Sequence, residues 1–182
     1  MRILVSYKEH WQAKYSVRFR RNILPFSHDY HKVGFFDGAA KDGLGGCGFI
    51  LYINKDHYYR GWMGIDHCTN NFSELRAVWI LLFWARLLKI RDLKVYGDSK
   101  VVIDWLQGKS AIQTITLTHW CTKIKELTTY FGQILFGHIF REYNRDANIL
   151  SKKGIRCQEG ILYIEEVNGD TISLLHEHRI WG

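Results

Sequence analysis

Residues 33–49 read VGFFDGAAKDGLGGCGF. An apolar run enters the stretch, a single acid, Asp37, ends it, and small residues crowd the positions after it. The opening segment reads as a buried strand. GLGGCGFILYI reads as a second strand after a glycine-rich turn. NKD at 54–56 is a turn and HYYRGWMGI a third strand, so three strands on short connections form an antiparallel meander.

Beyond the meander the period changes. From Asn71 to about Lys89, apolar residues fall at 72, 75, 78, 79, 82 and 83, the spacing of a helix face. LKVYG at 93–97 is a short buried strand, and SKVVIDWLQG a helix stopped by Gly108. Residues 116–131 read as a helix, GQILFGHIF as a fifth strand and YNRDANILSKKG as a final helix ending at Gly154. The order β-β-β-α-β-α-α-β-α predicts an α/β fold: a five-stranded mixed sheet with helices on both faces. The domain is expected over 32–154. Residues 155–182 form a C-terminal extension with a possible extra strand, GILYIEEV. Trp79, Trp84 and Trp105 sit at core spacing on predicted helices.

Composition narrows the class. The 182 residues are 47% hydrophobic and 15% aromatic, which supports a packed domain and argues against general disorder. The longest apolar run, AVWILLFWA at 77–85, is far short of the roughly 20 residues of a spanning helix. The N-terminal MRILVSYKEHW lacks the long apolar core of a secretory leader, so an intracellular chain, cytoplasmic or nuclear and with no membrane partner, is expected. Cys47, Cys68, Cys121 and Cys157 form no CxxC pair. Buried free thiols fit that spacing, and a zinc site assembled by folding stays open. The net charge of +7 favours a polyanionic partner. Residues 1–31 hold six basic residues against two acids, so they supply +4 of it. They read either as a solvated leader or as an arm that touches nucleic-acid phosphates.

Three acids stand out by position: Asp37 at the end of the first strand, Glu74 in the first turn of the long helix, and Asp98 at the end of the fourth strand. If the first and fourth strands are neighbours, Asp37 and Asp98 share an edge, and the helix can bring Glu74 to it. Carboxylates crowded in this way stay ionised only with cations between them, and hard oxygen donors suit Mg²⁺ or Mn²⁺. Each acid also has a local reading. Asp37 can serve a DG turn, Asn71 and Glu74 a capping box, and Asp98 the N-cap of the next helix.

FDGAA, TNNFSELRAV, YGDSKVVIDWL and HIFREYNRDANILSKKG, in that order, resemble the four signature blocks of type 1 ribonuclease H over residues 32–154. In detail they look most like the ribonuclease H-like domain of plant non-LTR retroelement polyproteins. The resemblance implies a metal-dependent endonuclease that cuts the RNA strand of RNA–DNA hybrids and leaves 5′-phosphate and 3′-hydroxyl ends. Asp37, Glu74 and Asp98 would hold two Mg²⁺, with Mn²⁺ a possible substitute. One ion would activate water and the other would stabilise the leaving oxygen. The small residues after Asp37 would let backbone and substrate approach closely. Asn70 and Asn71 match positions that contact the hybrid where the 2′-OH marks RNA, with Thr69 and Ser99 as phosphate or sugar neighbours. Lys100 would offer charge to a phosphate. His138 lies near a histidine that aids product release in some members. A reverse transcriptase domain in the same polyprotein is the implied partner, and a monomer the implied state.

One position departs from the family pattern. The last helix runs Asn144-Arg145-Asp146-Ala147-Asn148-Ile149-Leu150-Ser151, so Asn148 stands where the fourth metal-holding aspartate is expected. Three readings compete. The site is active, with Asp146 or Glu142 nearby or with three acids sufficing; the element has decayed to a nucleic-acid-binding module; or the residue was changed to bind without turnover.

Overall fold

The computed structural model describes residues 32–180. The expected basic arm, residues 1–31, lies outside them. Strands β1 (Lys32–Lys41), β2 (Leu44–Tyr52) and β3 (His57–Ile65) form the predicted meander. Helix α1 (Asn70–Leu87), strand β4 (Asp92–Gly97), helices α2 (Lys100–Leu106) and α3 (Ile115–Thr128), strand β5 (Gln133–His138) and helix α4 (Arg145–Gly154) come next, in the predicted order.

The sheet is mixed, as the element order requires, but among the described residues it has seven strands and not five. Strands β6 (Ile161–Asn168) and β7 (Thr171–Arg179) join it, giving the order β5-β4-β1-β2-β3-β6-β7. β6 pairs antiparallel with β3, which would otherwise be an exposed edge, and buries Leu162, Ile164 and Val167. β1 runs parallel to β4, and β4 to β5.

The first hairpin corrects the sequence reading in two ways. Its turn is only Asp42-Gly43, both at positive φ, so the glycines beyond it belong to β2. Asp37 does not end a strand either; it sits inside β1 opposite Gly48. Side chains directly opposite on paired strands share a face. The Asp37–Gly48 pair faces α4: a Cβ on Gly48 would lie 2.3 Å from the Ser151 amide nitrogen. The next pair, Gly38–Cys47, faces α1: a Cβ on Gly38 would meet Glu74 N at 2.2 Å. The small residues therefore seat two helices on opposite faces of the sheet. At Gly38, Gly46 and Gly48 that packing, and not approach of a substrate, is what excludes a side chain.

Helix α1 is packed on two sides. Leu75, Val78, Leu81 and Leu82 are fully buried in the core. Phe72 and Trp79, counted in the same apolar face from the sequence, instead meet Trp120 of α3 edge to face. Trp84 is buried, and Trp105 packs half-buried against the core. No helix among the described residues is long and apolar enough to cross a membrane.

Candidate active site

The parallel pairing of β1 with β4 ends at Phe35 and Tyr96. Asp37 and Asp98 each stand two residues past that last pair, so both reach the point where the strands diverge. Glu74 arrives from α1 on one face while Asp37 projects on the face that carries α4. The acids meet at the split: oxygens of Asp37, Glu74 and Asp98 all lie within 4.8 Å of one another.

Two of the three are nearly inaccessible, Asp37 at 3% and Glu74 at 7% exposure. Burial pushes the Asp37 carboxyl up to about 7. Asp98 adds to the rise, while hydrogen bonds from Ser151 and Asn148 and the charge of Arg141 oppose it. Burial also drives Glu74 well above the usual carboxylate range, reinforced by Asp37 and Asp98 and opposed by the Gly38 backbone and Arg141. Oε2 of Glu74 is buried with no hydrogen-bond partner among the described residues. Crowded buried carboxylates and an orphaned acceptor oxygen fit a hard divalent cation, which would supply the missing positive charge. No other group of three potential ligands appears among the described residues.

The local readings of these acids give way. Thr69 caps α1, its Oγ1 accepting from Phe72 N at 3.3 Å, so Asn71 and Glu74 do not form the capping box. Ser99, and not Asp98, caps α2, accepting from Val102 N at 3.5 Å. Asp37, inside a strand, serves no turn. All three acids are thus released from local duties.

Asn148 does reach the cluster, as a donor: its Nδ2 lies 3.1 Å from Asp37 Oδ2. Ser151 Oγ, fully buried, donates to the same oxygen at 2.5 Å. Asn144 fixes the start of α4 by donating from Nδ2 to the Phe36 carbonyl at 2.8 Å. Asp146 does not supply the missing acid. It is buried elsewhere on α4, raised by burial to about 6, and its opposing charge is Arg60 of β3. Glu142 is exposed outside the cluster.

The remaining predicted residues surround the site unevenly. His138, at the end of β5, places Nε2 3.2 Å from the Asp98 carbonyl oxygen. Asn70 ties α1 to β1, its Oδ1 accepting from Ala40 N at 3.0 Å, and Asn71 lies beside it, half-buried. Lys100 points its charge at Asp104, an exposed i,i+4 ion pair on α2. Sequence reasoning assigns no role to Ser151, Asn144 or Arg141. The first two lie in the quoted NRDANILS run, but hydroxyl and amide donors there carry no spacing signal. Arg141 needs the β5–α4 connection to be folded over the acids.

The strand order and the acid cluster define a ribonuclease H-like fold with a candidate cation site. The family model described as reverse transcriptase-like matches residues 35–154, and the chain belongs to that family. Among solved structures, ribonuclease H1 of the halophilic archaeon Halobacterium salinarum is 24% identical, with TM-score 0.63, covering 69% of this chain and 97% of that one. The N-terminal RNase H domain of a Mycobacterium tuberculosis protein, solved fused to maltose-binding protein, is 21% identical, with TM-score 0.64, covering 69% and 94%. LC11-RNase H1, isolated from compost by a metagenomic approach and solved with an RNA/DNA hybrid, is 24% identical, with TM-score 0.60, covering 68% and 96%. No curated protein matches the chain.

Proposed function

We propose that this chain is a ribonuclease H: a divalent-cation-dependent endonuclease that hydrolyses the RNA strand of RNA–DNA hybrids. The observation that carries the reading is the convergence of Asp37, Glu74 and Asp98 around a buried, unpaired Glu74 oxygen. The shared fold of a ribonuclease H1 solved with a hybrid supports it.

In this reading Asp37, Glu74, Asp98 and the amide of Asn148 hold two Mg²⁺, or Mn²⁺ in their place. Such ions, when bound, lower the pKa of an attacking water and neutralise charge at the leaving 3′ oxygen. The protein's own groups hold and orient. Ser151 and Asn148 pin Oδ2 of Asp37, which leaves Oδ1 for a cation. Arg141 offers a positive field beside the acids, suited to the phosphate that must lie there. Thr69, Asn70, Asn71, Ser99 and Lys100 flank the cluster as contacts to the hybrid, the asparagines on the side that reads a 2′-OH. His138, whose Nε2 lies 3.2 Å from the Asp98 carbonyl oxygen, assists departure of the product in the same reading.

The catalytic unit in this reading is 32–154, with 1–31 a basic arm and 155–182 an extension that widens the sheet. The setting is a retroelement polyprotein with a reverse transcriptase domain, acting as an intracellular monomer.

Cleavage of an end-labelled hybrid tests the reading. Activity that needs Mg²⁺ and disappears in Asp37→Asn is the expected result. A second reading, a binding module of the same fold, is favoured by one observation: Asn148 presents an N–H to Asp37 where a carboxylate would offer a ligand. If wild type and Asn148→Asp both bind hybrid and neither cuts it, the second reading replaces the first.

A further inference from the structure

Arg76 lies two residues beyond Glu74 on α1, about 200° further round the helix, so it faces away from the acid cluster. It is 7% exposed, and its Nε is buried without a hydrogen-bond partner among the described residues. Its guanidinium carbon lies 4.0 Å from the centroid of the Trp120 ring and 5.9 Å from that of Trp79. No carboxylate among the described residues pairs with it at ion-pair distance. Burial disfavours its charge, and Cys47 and then Glu159 oppose that effect. Buried arginine donors are usually hydrogen-bonded, whereas Nε here has lost water and the tryptophan rings offset the charge. Arg76 also lines a cavity of about 440 Å³ whose wall includes Phe72, Trp120, Asp66, Glu159 and Arg179. That volume falls in the range of small-ligand sites.

We propose that this cavity is a second nucleic-acid subsite that takes one nucleotide of a single strand, its phosphodiester on Arg76 and its base against Phe72. The proposal is independent of hydrolysis at Asp37, Glu74 and Asp98. A planar guanidinium suits a phosphodiester because it can donate two parallel N–H···O bonds. Asp66, Glu159 and Arg179 are exposed at the wall, so Arg76 carries its one buried charge, and that charge is matched by the single negative charge of a phosphodiester. Phe72 adds an apolar ring surface, the kind of surface on which bases of any sequence pack. The net charge of +7 favours the same polyanionic partner.

The test tracks the Trp120 indole N–H resonance of the full chain during titration with a single-stranded oligonucleotide, with the dinucleotide UpU, and with acetate. UpU and the oligonucleotide are expected to shift it, and acetate is not. Arg76→Gln is expected to weaken UpU binding about 10-fold or more, the loss of a bidentate charged contact. Glu159→Gln removes a repelling charge without touching the core, and is expected to tighten UpU binding a few-fold; it keeps the test open should Arg76→Gln fail to fold. A shift with acetate alone overturns the proposal in favour of a carboxylate site. So does the absence of any shift with UpU, or UpU binding unchanged in Glu159→Gln.

Discussion

Ser151 and Asp37, 114 residues apart in sequence, are joined by a 2.5 Å hydrogen bond in which the serine hydroxyl donates to a carboxylate buried in the sheet. The serine is itself fully buried, so water cannot take its place. Removing it in Ser151→Ala is expected to destabilise the fold by about 1.5–3 kcal/mol, the range for a bond to a charged group. The loss should be larger at about pH 8, where Asp37 is ionised, than at about pH 5.5. Urea denaturation at both values checks this; equal losses would mean the bond does not serve the charge.

The acid cluster also sets how stability depends on pH. Asp37 is raised from 3.8 to about 7 and Glu74 lies well above 4.5, so in the metal-free protein both take up protons more readily folded than unfolded. Their contribution is therefore fully present below the unfolded values and is lost as pH rises from about 4 through 7. With chelator present, the melting temperature is expected to be lower at about pH 8 than at about pH 5.5. Added Mg²⁺ should recover most of that loss at the higher pH and change little at the lower, because a cation competes with protons for the same oxygens. Thermal melts at the two values, with and without Mg²⁺, supply the measurement.

Asn148→Asp exchanges a donor for a like charge at 3.1 Å from Asp37. Without metal, the variant is expected to be less stable than wild type by about 1.5–3 kcal/mol near neutral pH. With metal, the order should reverse: calorimetric titration should give tighter Mn²⁺ binding, and hybrid cleavage should rise. Unchanged metal affinity would show that position 148 has no role in holding cations.

Gly48→Ala places a methyl 2.3 Å from the Ser151 amide, on rigid helix backbone. The helix must move off the sheet, and overpacking of this kind costs about 1–3 kcal/mol or more. Because α4 also carries the two donors to Asp37, metal affinity should fall together with stability. Substitution at half-buried Gly169, where nothing crowds a Cβ but φ is positive, should leave metal affinity intact. Parallel Mn²⁺ titrations of the two variants separate site geometry from general destabilisation.

Arg141 is the cation whose field reaches both Asp37 and Glu74. Arg141→Ala is expected to slow hybrid cleavage by about 10²-fold, as for loss of one charge-stabilising group, with only a small change in melting temperature because the residue is exposed. Lys100→Ala, which removes the exposed pair with Asp104 and one surface contact to the hybrid, should change cleavage far less. Steady-state kinetics on the two variants decides between them.

The sequence is legible where its signals are local. The switch from meander to alternating helices sets the element order through α4, because strand and helix periods differ and the turns are short. The three acids stand at element boundaries within recognisable blocks, so residue type and spacing mark them out. Other features mislead because their cause lies in a partner distant along the chain. Gly46 and Gly48 suggest a turn or a path for substrate, yet the reason for them is α4, far later in the chain. The β6–β7 pair reads as lying outside the core because nothing local shows that β3 needs an outer neighbour.

By itself the sequence determined which groups are present and in what secondary structure: a meander, a helix bearing Glu74, strands leading to Asp37 and Asp98, and a last helix carrying an amide at position 148. Tertiary structure alone decided that β1 and β4 separate just ahead of their acids, that Glu74 meets Asp37 from the other side of the sheet, and that Ser151 and Asn148 both donate to one carboxylate oxygen. The physical reason is range. Dihedral preferences and hydrophobic period act over a few residues and are written locally, whereas burial, charge crowding and hydrogen-bond partnership exist only between groups that folding brings together.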